Sequence, residues 1–183
     1  AVLCVKPLVG DEPFVVMLPD ALVDGEGLHK NDLAQMMKAY EANQAAQIMV
    51  ENVSQEMAYK YGIVALDGDA PEAGESARIT GMVEKQPAGT EPSTLAVIGR
   101  YLLPGRIFEL LENTPPGAGG EIQLTDAIDT LRDDKAVAAY RMAGDTYDCG
   151  HQLGYLEATL SFAKRHPTFG EGFRELLTRY QVK

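Results

Sequence analysis

The sequence has little cysteine and no long apolar run, and each absence argues against a class of protein. Its 183 residues include two cysteines, Cys4 and Cys149, which lie far apart and form no Cys-x-x-Cys pair. A disulfide framework is therefore not expected, and a reducing cytoplasm is the expected location. No apolar run approaches the ~20 residues that span a bilayer. Lys6 and Pro7 interrupt the apolar start of the chain, which argues against a signal peptide.

Positive charge is also scarce. The chain has 16 lysines and arginines against 27 aspartates and glutamates, a net charge of −11. Neither nucleic acid nor an anionic membrane is therefore an expected partner. With 45% hydrophobic and 23% charged residues, the composition is that of an ordinary globular domain. The first residue is an alanine inside an apolar run, which predicts a segment of a longer protein.

Alternating elements predict an α/β fold in which helices cover a layered sheet. The run at residues 14–18 is apolar throughout, which predicts a central strand buried on both faces. Asp32 and Gln35 resemble a capping box at the start of a helix. The apolar stripes near the C-terminus are interpreted as core faces. Further strands are predicted at residues 47–50, 61–66, 78–84, 96–103 and 136–142, and helices at 33–40, 107–111, 124–131, 153–163 and 173–180.

Two aspartates are candidate metal ligands. Asp20 follows the apolar run at residues 14–18, and ligands gather at the carboxyl ends of strands in open α/β sheets. A carboxylate there could hold Mg²⁺, which prefers one or two carboxylates plus phosphate oxygens and water. Asp20 could equally be a loop carboxylate that caps a turn. Asp148 could supply a second carboxylate, or could stabilise the start of the helix that follows it.

Glu84 and Lys85 lie where a predicted strand ends, before a loop that contains Pro87. The lysine is a compact cation that suits a phosphate. The neighbouring carboxylate can accept hydrogen bonds from sugar hydroxyls. The alternative is an exposed ion pair, which is common at strand ends and contributes little.

Two glycines interrupt strand-like runs, and familiar catalytic motifs are missing. Gly62 and Gly99 indicate either a close backbone approach to a ligand or a packing requirement. The glycines at residues 117–120 are a weak signal, because no Gly-Lys-Ser/Thr follows them. The sequence contains no HExxH, GxSxG or GxGxxG after a strand, so no motif indicates zinc, a serine nucleophile or a dinucleotide fold.

Seven segments of the sequence, taken together, indicate a protein family more specifically than any one of them does. In this order they closely resemble the sugar-1-phosphate nucleotidylyltransferase family, in its branch of bacterial UTP–glucose-1-phosphate uridylyltransferases. The resemblance extends from residue 1 to about 181, and the 114–128 and 148–150 segments are the most distinctive. The segments are VGDEPFVVMLPD (9–20), QIMVE (47–51), YGIV (61–64), VEK (83–85), AVIGRYLL (96–103), TPPGAGGEIQLTDAI (114–128) and DCG (148–150).

The resemblance implies a Rossmann-like mixed sheet and a Mg²⁺-dependent reaction of two small molecules, UTP and glucose 1-phosphate. A phosphate oxygen of glucose 1-phosphate attacks the α-phosphorus of UTP, and pyrophosphate leaves; such chemistry depends on positioning and charge neutralisation. By the same resemblance Asp20 is the main Mg²⁺ ligand and a catalytic residue. Asp148 matches a second acidic position.

The remaining site residues are also implied by the resemblance. Glu84 binds glucose hydroxyls, and Lys85 binds the sugar phosphate as a second catalytic residue. Gly62 offers backbone to the glucose, with Val97 and Gly99 nearby. A homo-oligomer is expected.

One departure from the family is large. The family's glycine-rich Gly-x-Gly-Thr-Arg loop, with a following lysine that helps grip the triphosphate, does not occur in this sequence. About a hundred residues, including the first nucleotide-binding strands, are expected to be missing, which would still fit one large domain. Residues 1–183 are thus expected to be the C-terminal portion of a single domain, inactive alone. The alternatives are a sister transferase for another sugar or base, or an inactive binding and assembly fragment.

Overall fold

The structure is a computed structural model that describes residues 1–27, 31–117 and 120–180. These residues form two compact units. The first comprises Ala1–Leu18 and Gly25–Gly144, and the second comprises Pro19–Asp24 and the chain from Asp145 onward. No helix among the described residues is long and apolar enough to cross a membrane. The expectation that residues 1–183 belong to a single domain stays a prediction.

The first unit is built on a six-stranded mixed sheet, which confirms the predicted fold class. Its strand order is β1-β6-β3-β7-β5-β4, where β3 and β7 run parallel and the other pairs run antiparallel. The strands are β1 (Phe14–Met17), β3 (Ala46–Asn52), β4 (Gly62–Leu66), β5 (Ser76–Glu84), β6 (Leu95–Leu103) and β7 (Val137–Arg141). A 3-10 helix (Val2–Val5) and helices α1 (Lys6–Val9), α2 (Asp32–Asn43), α3 (Gln55–Ala58), α4 (Arg106–Asn113) and α5 (Leu124–Asp134) complete it.

The core of the first unit lies around the central strand β3. Ile48 and Met49 are adjacent in β3 and both are buried. Because neighbouring side chains of a strand point to opposite faces, the sheet is covered on both faces here. Ile107 of α4 and Ile128 of α5 belong to the same buried cluster as Ile48. These helices therefore cover the face to which Ile48 points.

The second unit is small. Strands β2 (Ala21–Asp24) and β8 (Asp145–Asp148) form a two-stranded antiparallel sheet. Helices α6 (Gln152–Lys164) and α7 (Gly170–Arg179) follow. Arg165 and the buried Asp24 form an ion pair inside this unit. Neither β2 nor β8 is predicted from the sequence, because neither contains a continuous apolar run of four residues.

Two expectations about local structure are wrong in the first unit. The run at residues 14–18 is not a central strand, because β1 lies at one end of the strand order and Met17 is 58% exposed. Asp32 does not cap α2. The cap is Asn31, whose side chain accepts a hydrogen bond from the Ala34 backbone N–H at 3.2 Å. Asp32 is instead the first residue of α2 and is buried, and its carboxylate accepts a hydrogen bond from the Tyr140 hydroxyl at 2.8 Å.

The interpretation of the C-terminal stripes as core faces is also wrong. In α6, Leu153 is 75% exposed and Leu156 is 53% exposed. In α7, Leu176 is 36% exposed, and the adjoining Tyr180 is 75% exposed. Periodicity correctly predicts both helices, but it does not say whether the described chain covers their apolar faces.

Candidate functional site

Four residues converge at the end of β5, and we call them the Glu84 cluster: Gly62, Glu84, Val97 and Thr125. Gly62 begins β4, Glu84 ends β5, and the two residues are direct partners in the antiparallel ladder. A Cβ atom added to Gly62 would lie 3.0 Å from Glu84 Oε2 and 3.8 Å from Val97 Cγ2. The missing side chain of Gly62 therefore leaves the space that the Glu84 carboxylate occupies.

Thr125 is the member of this cluster that sequence reasoning missed. Its hydroxyl donates a hydrogen bond to Glu84 Oε2 at 2.9 Å, across 41 residues of sequence. It lies in the first turn of α5 and is buried. A polar residue in the stripe that also contains Ile128 and Leu131 signals a need for a partner. The sequence offers no means of identifying that partner.

Lys85 follows directly, at the point where regular strand structure stops. Its φ is 42°, and its backbone N–H donates to the Tyr61 carbonyl at 3.2 Å. The side chain is exposed. Neighbouring side chains of a regular strand point to opposite faces. Because β5 ends at Glu84, this rule does not apply to Glu84 and Lys85. The predicted strand end before Pro87 is confirmed.

Gly99 has a structural explanation of its own. Its φ is 72°, and a Cβ atom there would lie 2.9 Å from Leu18 Cβ. The Leu18 N–H donates to the Gly99 carbonyl at 2.9 Å, and Arg100 Nη1 donates to the Leu18 carbonyl at 2.7 Å. Backbone conformation and close packing against Leu18 thus account for this glycine, and its role toward a ligand stays a prediction.

The second unit contains Asp20 and Asp148, which we call the carboxylate pair. In the ladder between β2 and β8, Asp148 is the partner of Ala21, so Asp20 lies one residue beyond it. The Cys149 N–H donates to the Asp20 carbonyl at 2.6 Å. A Cβ atom on Gly150 would lie 3.0 Å from Asp148 Oδ1 and 3.7 Å from Asp20 Oδ2. Both carboxylates therefore border the same glycine.

The surroundings of Asp148 are those of a turn. Its Oδ1 accepts from the Gly150 N–H at 2.9 Å, and its Oδ2 lies 3.8 Å from His151 Nε2. The N-cap of α6 is His151, whose Nδ1 accepts from the Gly154 N–H at 3.1 Å. His151, and not Asp148, therefore caps this helix.

The carboxylate pair fits the ligand preference of Mg²⁺. Both side chains are exposed, and two carboxylates leave the other positions to water and phosphate oxygens. Within residues 1–27, 31–117 and 120–180, no group of three or more His, Cys, Asp or Glu side chains could hold a metal ion. The described residues therefore do not form a site in which protein side chains supply all the metal ligands. They suit an open site, in which a phosphate ligand supplies some of them.

The model of the nucleotidyl transferase family matches residues 1–165, and the chain belongs to that family. A UTP–glucose-1-phosphate uridylyltransferase of Escherichia coli K12 is 46% identical over 179 residues, which cover 97% of this chain and 59% of that protein. A UTP-bound UGPase from Acinetobacter baumannii is 49% identical with a TM-score of 0.90, and the match covers 98% of this chain and 61% of that one. A UDP-glucose pyrophosphorylase complexed with UDP-glucose is 39% identical with a TM-score of 0.82, over 90% of this chain and 61% of that one.

These findings confirm the resemblance inferred from the seven sequence segments. The chain spans about 60% of the length of these relatives. Residues 118 and 119, in the distinctive 114–128 segment, lie outside the described residues.

Proposed function

We propose that the protein containing this chain transfers UMP from UTP to glucose 1-phosphate, with Mg²⁺, and forms UDP-glucose and pyrophosphate. The names of the relatives support this activity, since each describes a UDP-glucose-forming transferase or a structure bound to UTP or UDP-glucose. In this proposal Gly62, Glu84, Val97 and Lys85 bind the sugar phosphate. The carboxylate pair holds the metal.

The observation that supports the sugar role most directly is the placement of Glu84. Its carboxylate lies beside Gly62, which has no side chain to block it, and is held by Thr125. A carboxylate can accept hydrogen bonds from sugar hydroxyls, and the ammonium group of Lys85 is a suitable partner for a phosphate. Among the described residues, Glu84 and Lys85 form no ion pair with each other, and Glu84 accepts a hydrogen bond from Thr125.

The proposed role of the carboxylate pair is to hold Mg²⁺ by Asp20, with Asp148 as a second ligand. When bound, Mg²⁺ would neutralise charge on the phosphate groups that react. Asp20 and Asp148 would orient the ion through carboxylates that the β2–β8 ladder brings to the same glycine, Gly150.

The nucleotide side of the reaction needs residues that this sequence does not contain. No Gly-x-Gly-Thr-Arg loop is present to bind the triphosphate. Stabilising the charge that develops on the leaving group is usually a large part of catalysis, so the 183 residues alone should be inactive.

The test is an assay of pyrophosphate release and UDP-glucose formation with UTP, glucose 1-phosphate and Mg²⁺. The full-length protein should be active, and the 183-residue chain should not be. Replacing glucose 1-phosphate with other sugar phosphates, or UTP with other nucleoside triphosphates, separates the proposed activity from that of a sister transferase. A full-length protein that makes another nucleotide sugar but no UDP-glucose would refute the proposed substrates. Normal turnover by the 183 residues would refute the need for the missing loop.

A further inference from the structure

We propose that Thr125 is a positioning residue for sugar recognition, which holds one oxygen of the Glu84 carboxylate so that the other can accept from a sugar hydroxyl. The inference rests on the proposed sugar role of Glu84. Thr125 Oγ1 donates to Glu84 Oε2 at 2.9 Å. Within the described ranges, Thr125 is the sole side chain that donates to this carboxylate.

The same oxygen is confined from its other side by the backbone of β4. Glu84 Oε2 lies 3.0 Å from the point where Gly62 would have a Cβ atom. A hydrogen bond from Thr125 and an adjacent glycine thus define the position of Oε2. A bound hydroxyl would then meet a carboxylate whose orientation is already set, which lowers the entropic cost of binding.

Helix α5 is itself fixed to the strand that ends at Glu84. Asp129 Oδ1 accepts a hydrogen bond from the Met82 backbone N–H at 3.1 Å. The Arg132 guanidinium donates to the Thr80 carbonyl. Thr125, Asp129 and Arg132 follow one another at spacings of four and three, so they lie along one face of the helix. The position of the Thr125 hydroxyl relative to the end of β5 is therefore set by two further contacts.

The burial of Thr125 indicates that it acts through Glu84 and does not touch the sugar. The residue is 7% exposed, so its hydroxyl has little access to solvent. A buried hydroxyl needs a partner, and the Glu84 carboxylate supplies one. The branched side chain also has few rotamers, which restricts the direction of the donated hydrogen bond.

The test uses the full-length protein with Thr125→Val, which keeps the shape of the side chain and removes the hydroxyl. We expect the KM for glucose 1-phosphate to rise about tenfold, as for the loss of one hydrogen bond to a charged group. The KM for UTP should stay within about twofold. Thr125→Ser, which restores the hydroxyl, should recover most of the affinity. Calorimetric titration of glucose 1-phosphate and a thermal melt of each variant separate binding from folding.

Thr130→Val is the matched control. Thr130 lies in the same helix, is exposed, and donates to the Asp126 carbonyl at 3.0 Å, within the helix. Its removal should leave both KM values unchanged. If Thr125→Val does not fold, Thr125→Ala provides the same comparison with Thr125→Ser.

A double variant distinguishes the ways in which the inference can fail. In a Glu84→Gln background the effect of Thr125→Val should shrink, because the carboxylate that it positions is gone. An undiminished effect there, or an unchanged KM for glucose 1-phosphate in Thr125→Val alone, would refute the positioning role. If Glu84→Gln binds glucose 1-phosphate normally, the proposed sugar role of Glu84 fails, and the inference about Thr125 fails with it.

Discussion

Gly62→Ala is a small change that the structure predicts to damage binding far more than folding. The added Cβ would lie 3.0 Å from Glu84 Oε2, closer than the ~3.5 Å or more of a relaxed contact. Gly62 does not have a positive φ, so alanine is compatible with the backbone. The strain therefore falls on the carboxylate, which is the end of a rotatable side chain.

The size of the effect on binding follows from the hydrogen bonds that a displaced Glu84 carboxylate would weaken. Moving Oε2 away by about 0.5 Å lengthens its 2.9 Å bond from Thr125 and shifts the acceptor offered to the sugar. Hydrogen bonds to charged groups contribute about 1.5–3 kcal/mol, so the affinity for glucose 1-phosphate should fall about tenfold or more. The stability of the fold should change by no more than about 1 kcal/mol, because alanine lowers the entropy of the unfolded chain by a similar amount.

Calorimetric titration of glucose 1-phosphate into the full-length protein measures this affinity, and urea unfolding measures the stability. Gly81→Ala is the matched control. Gly81 lies in β5 of the same sheet, and a Cβ atom there would lie 3.7 Å from Ala65 Cβ, an ordinary contact. Gly81→Ala should bind glucose 1-phosphate as the unmodified protein does.

Two results would contradict this prediction. Unchanged affinity in Gly62→Ala would mean that the carboxylate accommodates the methyl group without loss, or that it takes no part in binding. Equal damage from Gly81→Ala would mean that any added methyl group in these strands disturbs the site, so the contact with Glu84 would explain nothing.

Three further predictions concern the metal, the strand end and the buried tyrosine. In the full-length protein, Asp20→Asn should lower turnover at least about a hundredfold, because the metal contributes several kcal/mol, and Asp148→Asn should lower it less. A Mg²⁺ titration of turnover checks this, and a normal Mg²⁺ dependence in Asp20→Asn would contradict it. Lys85→Ala should weaken the binding of glucose 1-phosphate more than that of free glucose, and Glu84→Gln should weaken the binding of both, as measured by calorimetric titration. Effects under about 1 kcal/mol in both variants would indicate two exposed residues outside the site. Burial, and then the hydrogen bond to a buried carboxylate, raise the pKa of Tyr140 above its ordinary value. Because the folded state favours the neutral phenol, the free energy of unfolding should fall above about pH 10, where tyrosine in the unfolded chain ionises. Urea unfolding at pH 8 and 11 should show a smaller fall for Tyr140→Phe than for the unmodified protein. An equal fall in Tyr140→Phe would assign the pH dependence to other groups.

Much of the secondary structure follows from local patterns. The apolar runs of β3 and β6 are long enough to predict buried strands, and the spacing of Met36 and Tyr40 predicts α2. The strand end at Glu84 is predicted from Pro87 nearby, because proline cannot continue a hydrogen-bonded ladder. These features depend on the order of neighbouring residues, and the sequence contains that order.

The burial of each helix and strand does not follow from its local pattern. The run at residues 14–18 is as apolar as a central strand, yet β1 pairs with β6 alone among the described strands. The stripe on α6 is as periodic as a core face, yet Leu153 is largely exposed. A local pattern records that a surface is apolar, but what covers the surface depends on segments far away in the chain.

The sequence alone predicts the family, the order of the longer helices and strands, and the residue types that suit a sugar phosphate and a metal. That Asp20 and Asp148 border one glycine is seen only in the folded chain, since the short strands β2 and β8 pair across more than a hundred residues. The tertiary structure alone shows that Thr125 donates to Glu84, 41 residues away. Hydrogen bonds and ladder pairs between distant segments depend on how the chain packs, and neither partner leaves a local signal that names the other.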